Sequence, residues 1–232
     1  TINFTVDEAV SVAQAAGLLS HTDTDNAAIQ FSAGISDSLS AYATSGETTT
    51  NLNNIITEDT DVAATVTGTL STAQNITDLN ALATKFDDHS GTIVATFSGT
   101  KDKLYNSSSS AAILGTGTGD TIGITISDAV STSEWVAIKA KTGSTVTASA
   151  GFSGALSQYA AGGFTALNFR NALANNGSAA VTITGTLGAS DIANLNAVAS
   201  YGSHSGAITA SVSAELSEYG VDSLSITSSD SV

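Results

Sequence analysis

The stretch Val181-Thr-Ile-Thr-Gly-Thr-Leu187, together with the residues after it up to Ser213, decides the fold of this chain. Its seven residues alternate apolar and polar side chains, which indicates a strand. Residues 190–199 then place apolar side chains at helical spacing, and residues 206–213 alternate again. The pattern predicts a strand, a helix and a second strand within one short segment.

A matching segment lies earlier in the chain, where residues 62–70 resemble the first strand, 75–83 the helix and 89–98 the second strand. Two other segments match each other: Ile-Asn-Phe-Thr-Val-Asp-Glu-Ala-Val-Ser at residues 2–11 and Ile-Gly-Ile-Thr-Ile-Ser-Asp-Ala-Val-Ser at residues 122–131. We interpret the chain as four tandem strand-helix-strand repeats of about 60 residues, arranged as two similar halves. The alternation predicts an α/β fold whose parallel strands are joined by right-handed crossovers.

The two halves divide at a Gly/Thr-rich stretch, residues 115–119, which we interpret as a linker. Residues 1–117 then form the first repeat pair and residues 118–232 the second. The repeats could stack as a solenoid, close two separate cores, or form a closed barrel. A mostly-β, sandwich-like arrangement is a further alternative, because Thr, Ser and Val suit strands.

Three other segments predict helices. Asp7 is placed to cap a helix over residues 8–19, because Asp is a favoured N-cap residue. Residues 36–42 predict one or two helical turns, and residues 164–174 predict a longer helix.

A Leu-Ser-x-Tyr motif recurs in the chain and ends at Tyr42, Tyr159 and Tyr219. Because the motif keeps its place within the repeats, we expect these rings to pack in the core rather than to form a binding surface.

Charged residues are scarce and mostly acidic. They make up 12% of the 232 residues, with 21 acidic against 6 basic side chains and a formal charge of −15. Because phosphate contacts need Lys and Arg, we expect no nucleic-acid partner. No apolar run approaches the roughly 20 residues of a membrane span, so we expect no membrane insertion. The chain has no Cys, which excludes disulfides and fits a location outside the cell.

No motif of an active site is present in the sequence, so we do not expect an enzyme. The three histidines lack the spacing of a zinc motif. No serine lies in a nucleophile elbow, and the glycines of residues 115–119 lack the Lys-Ser/Thr ending of a phosphate loop. We expect no cofactor other than calcium.

Two acidic clusters supply the candidate calcium ligands. Calcium takes six to eight oxygen ligands, and both clusters offer oxygens at alternate positions. Neither cluster has the Gly and the distal Glu of a calcium-binding hand, so a solvated polar turn is the alternative. The candidate ligands are Asp23, Asp25, Asn26, Glu58, Asp59 and Asp61.

Three features of the sequence resemble a known repeat pattern: the strand-turn Ile-Thr-Ile-Ser-Asp-Ala-Val-Ser at residues 124–131, the Leu-Asn-Ala motifs at Leu79 and Leu195, and the strand at residues 206–213. It is the pattern of very large, low-charge secreted surface proteins of cyanobacteria and other aquatic bacteria. The resemblance covers nearly the whole chain, but this chain is short and has inserts in its first and third units. It implies an extracellular, structural or adhesive role and assigns no site residues.

Two functions are therefore expected. The first is a structural subunit of an extracellular filament, surface layer or adhesin, whose partners are copies of itself. Its terminal strands would associate head to tail, because a repeat cannot bury its end face alone. The second is a calcium-dependent module that binds a surface or cell-surface glycans. The residues expected to mediate self-association are Ile2, Phe4, Val6, Leu224 and Ile226.

Overall fold

A computed structural model describes residues 3–22, 28–104 and 119–213. These residues form two compact units. The described parts of the first unit are residues 3–22, 28–98, 119–124 and 141–145, and those of the second are 99–104, 125–140 and 146–213. The boundary predicted between residues 117 and 118 lies outside the described residues.

The elements alternate along the chain. The strands are β1 (Phe4–Val6), β2 (Ile29–Phe31), β3 (Ile35–Ser38), β4 (Ala43–Thr44), β5 (Glu47–Thr48), β6 (Ala64–Thr67), β7 (Ile93–Gly99), β8 (Thr121–Ile126), β9 (Thr145–Ala148), β10 (Phe152–Ala155), β11 (Ala160–Ala161), β12 (Phe164–Thr165), β13 (Val181–Leu187) and β14 (Ile208–Val212). The helices are α1 (Val12–Thr22), α2 (Leu39–Tyr42), α3 (Thr50–Glu58), α4 (Ala73–Asp87), α5 (Lys101–Leu104), α6 (Thr132–Lys139), α7 (Leu167–Asn176) and α8 (Ile192–Ala199).

The first unit is built on parallel strands. β3, β6, β7 and β8 follow one another as neighbours, with Ile35 opposite Ala64 and Ala64 opposite Ile93. β1 pairs in parallel with β2, with Phe4 opposite Ile29. Helices α1, α3 and α4 lie in the connections between successive parallel strands, as a strand-helix alternation predicts.

The second unit repeats this arrangement. β10, β13 and β14 are parallel neighbours, with Phe152 opposite Val181 and Val181 opposite Ile208. The predicted α/β class with parallel sheets is confirmed. The mostly-β alternative is wrong, since the described residues include eight α-helices.

The helix predicted over residues 8–19 begins later, at Val12. A reciprocal pair of hydrogen bonds sets this start: Ser11 Oγ accepts from the Gln14 N–H at 3.2 Å, and Gln14 Oε1 accepts from the Ser11 N–H at 2.8 Å. This is the geometry of a capping box. Ser11, and not Asp7, is therefore the N-cap.

Residues 36–42 are not one helical piece. Residues 35–38 form β3, because they pair with β6, and only Leu39–Tyr42 is helical. Residues 164–174 are divided as well: Phe164–Thr165 is β12, one strand of a short antiparallel hairpin, and the helix begins at Leu167. Pairing with a neighbouring strand overrides the local helical pattern in both places.

The two units share landmarks at a constant interval in sequence. The same number of residues separates Gly34 from Gly151 and Tyr42 from Tyr159. Both glycines have a left-handed backbone, with φ of 75° and 77°. Both tyrosine side chains are fully buried, which confirms the predicted core role, while Tyr219 lies outside the described residues.

None of the helices that the structure describes is both long and apolar enough to cross a membrane.

Candidate functional site

An open cleft of about 300 Å³ lies in the first unit, between the strands β1 and β2 and the loop that follows α3. Its lining includes Phe4 of β1 and three acidic side chains, Glu58, Asp59 and Asp61. The cleft therefore brings one residue predicted for self-association next to three predicted metal ligands.

Two of these acids bond to the backbone of β2. Glu58 Oε1 accepts the Ile29 N–H at 3.1 Å, and Asp59 Oδ2 accepts the Phe31 N–H at 2.6 Å. The carboxylates thus take the place of carbonyl groups on a neighbouring strand, which satisfies buried donors of β2. Helix α3 positions them, because it ends at Glu58 and the Asp59 N–H still donates to Ile55 O.

The second unit uses an amide for the same purpose. Asn176, at the end of α7, stands at the same interval from Asp59 as Gly151 from Gly34. Its Oδ1 accepts the Ala148 N–H at 2.7 Å, and its Nδ2 donates to Val146 O at 3.2 Å and to Ala172 O at 3.0 Å. An amide both accepts and donates, so Asn176 satisfies a donor of β9 and two carbonyl groups.

Asp59 is a carboxyl group in a place that suits an amide. Its side chain is 4% exposed. Burial raises the pKa of Asp59, the hydrogen bond to Asp61 raises it further, and the Phe31 N–H lowers it by a smaller amount. Compared with an ordinary aspartate, the protonated acid is stabilised at Asp59, and that form can donate a hydrogen bond where an ionised carboxylate cannot.

The predicted calcium ligands divide into two groups. Glu58, Asp59 and Asp61 come together at the cleft, with two of them already accepting backbone hydrogen bonds. Asp23, Asp25 and Asn26 lie outside the described residues. Within the described ranges, no three or more His, Asp or Glu side chains form a group that could hold a metal ion. The calcium site stays a prediction.

The residues predicted for self-association divide similarly. Ile2, Leu224 and Ile226 lie outside the described residues. Phe4 and Val6 belong to β1, which has β2 on one side and no strand on the other among the described residues. The Phe4 side chain is 50% exposed.

Asn176 is a buried, hydrogen-bonding residue that the sequence analysis did not single out. The signal was present, because aligning the two halves places Asn176 on Asp59. The sequence does not show the long-range contact that places each of these side chains beside a strand, where it accepts a backbone hydrogen bond.

Comparison with known proteins finds no matching family model, no matching curated protein and no matching solved structure.

Proposed function

We propose that this chain is a structural subunit of an extracellular filament, surface layer or adhesin, and that it associates head to tail with copies of itself through its terminal strands. The observation that carries the proposal is β1, which among the described residues pairs with β2 on one side only and whose Phe4 is 50% exposed. An uncovered strand edge readily adds another strand.

We also propose that the chain consists of four tandem strand-helix-strand repeats of about 60 residues in two similar halves. The recurrence of left-handed glycines supports the two similar halves: Gly34 and Gly151 each lie between two strands, and Gly68, just after β6, corresponds to Gly185 within β13. Such repeats bury their faces on their neighbours, which leaves the end faces available to other copies.

An extracellular location agrees with the low content of charged residues, the absence of cysteine and the resemblance to secreted surface proteins. The proposed partner is a second copy of this chain. We propose no enzymatic activity, no nucleic-acid partner and no insertion into a membrane.

Sedimentation velocity over a range of protein and salt concentrations tests this function. Because each copy carries a formal charge of −15, repulsion opposes association at low ionic strength. We expect larger species to appear as protein and sodium chloride concentrations rise together. A monomer throughout would overturn the proposal.

A second candidate function is a calcium-dependent module that binds a surface or a glycan, and the acidic lining of the cleft favours it. Isothermal titration with calcium chloride tests it, using the Asp23→Ala/Asp25→Ala double variant and the Glu58→Gln variant for comparison. Heat that is lost in the variants would support the module, and no heat from the unaltered protein would remove it.

A further inference from the structure

An exposed apolar surface lies at the start of helix α7, in the second unit. Phe164 of β12 is 79% exposed and Leu167, the first residue of α7, is 61% exposed, more than any other large apolar side chain that the structure describes. Arg170 is also exposed and follows Leu167 by three positions, so it lies on the same face of the helix. Phe164, Leu167 and Arg170 are called the α7 surface below.

Two features of the α7 surface favour an anionic partner. Arg170 is the only arginine of the chain, and its guanidinium has no ion-pair or hydrogen-bond partner among the described residues. The N-cap residue of α7, Ala166, offers no side-chain acceptor, whereas Thr49 at the start of α3 accepts the Leu52 N–H at 3.3 Å. A cation and the first-turn N–H groups of a helix both attract a carboxylate.

The first unit has polar side chains at the positions equivalent to the α7 surface. Counting by the interval between Tyr42 and Tyr159 gives the three equivalent residues, which are Glu47, Thr50 and Asn53. The backbone agrees, since α3 begins at Thr50 as α7 begins at Leu167, each after a short hairpin. Because the fold accepts Glu and Thr at these positions, it does not itself require an exposed Phe and Leu in the second unit.

The two units also differ in charge. The described part of the first unit has eleven acidic and two basic side chains, whereas that of the second has four of each. Two first units therefore repel each other, and two copies of the α7 surface would bring their Arg170 side chains together. A contact without like-charge repulsion joins the α7 surface to the acidic first unit of another copy.

Glu47 is the acidic residue of the first unit that best suits this contact. Its side chain is exposed on the hairpin of β4 and β5, and it has no hydrogen-bond or ion-pair partner among the described residues. By contrast, Glu58 and Asp59 already accept backbone hydrogen bonds from β2.

We propose that the α7 surface of one copy binds the first unit of a second copy at the hairpin of β4 and β5, where Glu47 pairs with Arg170. The inference rests on the proposed self-association and adds to it a side-chain contact outside the terminal strands. Phe164 and Leu167 lose contact with water when they are covered, which is the main favourable contribution. The contact is heterologous, because each copy keeps one α7 surface and one Glu47 for further copies.

Polar replacement of the apolar pair tests the first part of the proposal. The Phe164→Gln/Leu167→Thr variant keeps the charge of the chain and resembles the first unit, which has Glu and Thr at these positions. In sedimentation velocity of the full chain, we expect this variant to need a protein concentration about tenfold higher, or more, to associate. Val94→Thr is the matched control, because it removes an apolar side chain that is 45% exposed on β7, and it should associate as the unaltered chain does.

Charge reversal tests the proposed ion pair. Arg170→Glu and Glu47→Arg should each raise the concentration needed for association by about threefold or more, and the Arg170→Glu/Glu47→Arg double variant should recover it. Glu47→Arg makes the chain less negative, so general repulsion alone would strengthen association, and only a specific contact would weaken it. Stronger association of Glu47→Arg, or a double variant no better than the single ones, would overturn the inference.

Hydrogen exchange of the unaltered protein covers the case in which a variant does not fold. The amides at the start of α7, residues 167–169, should exchange more slowly as the protein concentration rises, because the second copy covers them. Unchanged exchange in associated protein would overturn the inference. Slow exchange at the lowest concentration that is lost on removal of residues 214–232 would assign the surface to the end of the same chain, which also overturns it.

The same measurements separate this inference from the proposed function. If the Phe164→Gln/Leu167→Thr variant associates at the concentration of the unaltered chain, the α7 contact is overturned and self-association stands. A full chain that stays monomeric at every concentration would overturn both.

Discussion

Replacing Asp59 by Asn is expected to stabilise the first unit at neutral pH. The Asn176 geometry in the second unit shows what an amide does at this position: it accepts from one backbone N–H and donates to two carbonyl oxygens. The counterpart groups in the first unit are the Phe31 N–H and the carbonyls of Ile29 and Ile55.

The magnitude depends on the hydrogen bonds that an amide would add, because an ionised Asp59 accepts the Phe31 N–H but cannot donate to a carbonyl group. A hydrogen bond within a protein contributes about 0.5–1.5 kcal/mol to stability. We therefore expect Asp59→Asn to raise the free energy of unfolding by roughly 1–2 kcal/mol at about pH 7. The reverse change, Asn176→Asp, removes two donated hydrogen bonds and should lower it by roughly 3 kcal/mol.

The raised pKa of Asp59 sets the sign of the pH dependence. A carboxyl whose pKa is raised by folding stabilises the folded state below its ordinary value of 3.8 and loses that contribution as the pH rises. The gain from Asp59→Asn should therefore be largest at neutral pH and shrink as the pH falls towards 4.

Urea denaturation followed by circular dichroism, at a concentration where the protein is monomeric, measures both changes at several pH values. A destabilising Asp59→Asn at neutral pH, or a gain that does not depend on pH, would refute the reasoning.

Three further predictions use matched pairs or a single group. Gly34→Ala should lower the free energy of unfolding by about 2 kcal/mol or more, because φ is 75° and the added Cβ would lie 2.6 Å from Ala63 O. Gly17→Ala, in a helix with open space around the added Cβ, should raise it by up to about 1 kcal/mol. Chemical denaturation measures both changes. Tyr42→Phe should lower the thermal stability by about 1 kcal/mol, because the Tyr42 hydroxyl donates to Ile35 O at 2.9 Å. Tyr159→Phe should be neutral or stabilising, because the buried Tyr159 hydroxyl has no hydrogen-bond partner among the described residues. Burial acts to raise the pKa of Glu134, but the hydrogen bonds from Ser131 and the nearby Lys101 together lower it. The stability that Glu134 contributes at neutral pH should therefore be lost as the pH falls through that lowered pKa. Glu134→Gln should remove this part of the acid sensitivity, measured in a pH titration of unfolding.

The local sequence pattern was sufficient to predict the elements whose apolar spacing matches the face that is buried in the structure. The helix predicted over residues 75–83 lies within α4, and the strand predicted at residues 181–187 is β13. In both, the period of the sequence matches the face that is buried, so local preference and packing favour the same structure.

The elements that were missed depend on partners distant in sequence. Residues 35–38 form a strand because β6 lies beside them. The hairpin of β4 and β5 is an exception, because it is local and its Ser45-Gly46 dipeptide is typical of a turn. In the structure both residues have positive φ, 56° and 82°, as a tight hairpin turn requires. The cleft also depends on contacts between residues distant in sequence. Glu58 and Asp59, which the sequence analysis interprets as metal ligands, accept backbone hydrogen bonds from β2 residues 29 and 28 positions away.

Electron microscopy of the purified protein, negatively stained at rising concentration in moderate salt, tests the central claim most directly. The account predicts elongated assemblies in which single copies follow one another. Isolated particles the size of one chain at every concentration would contradict it.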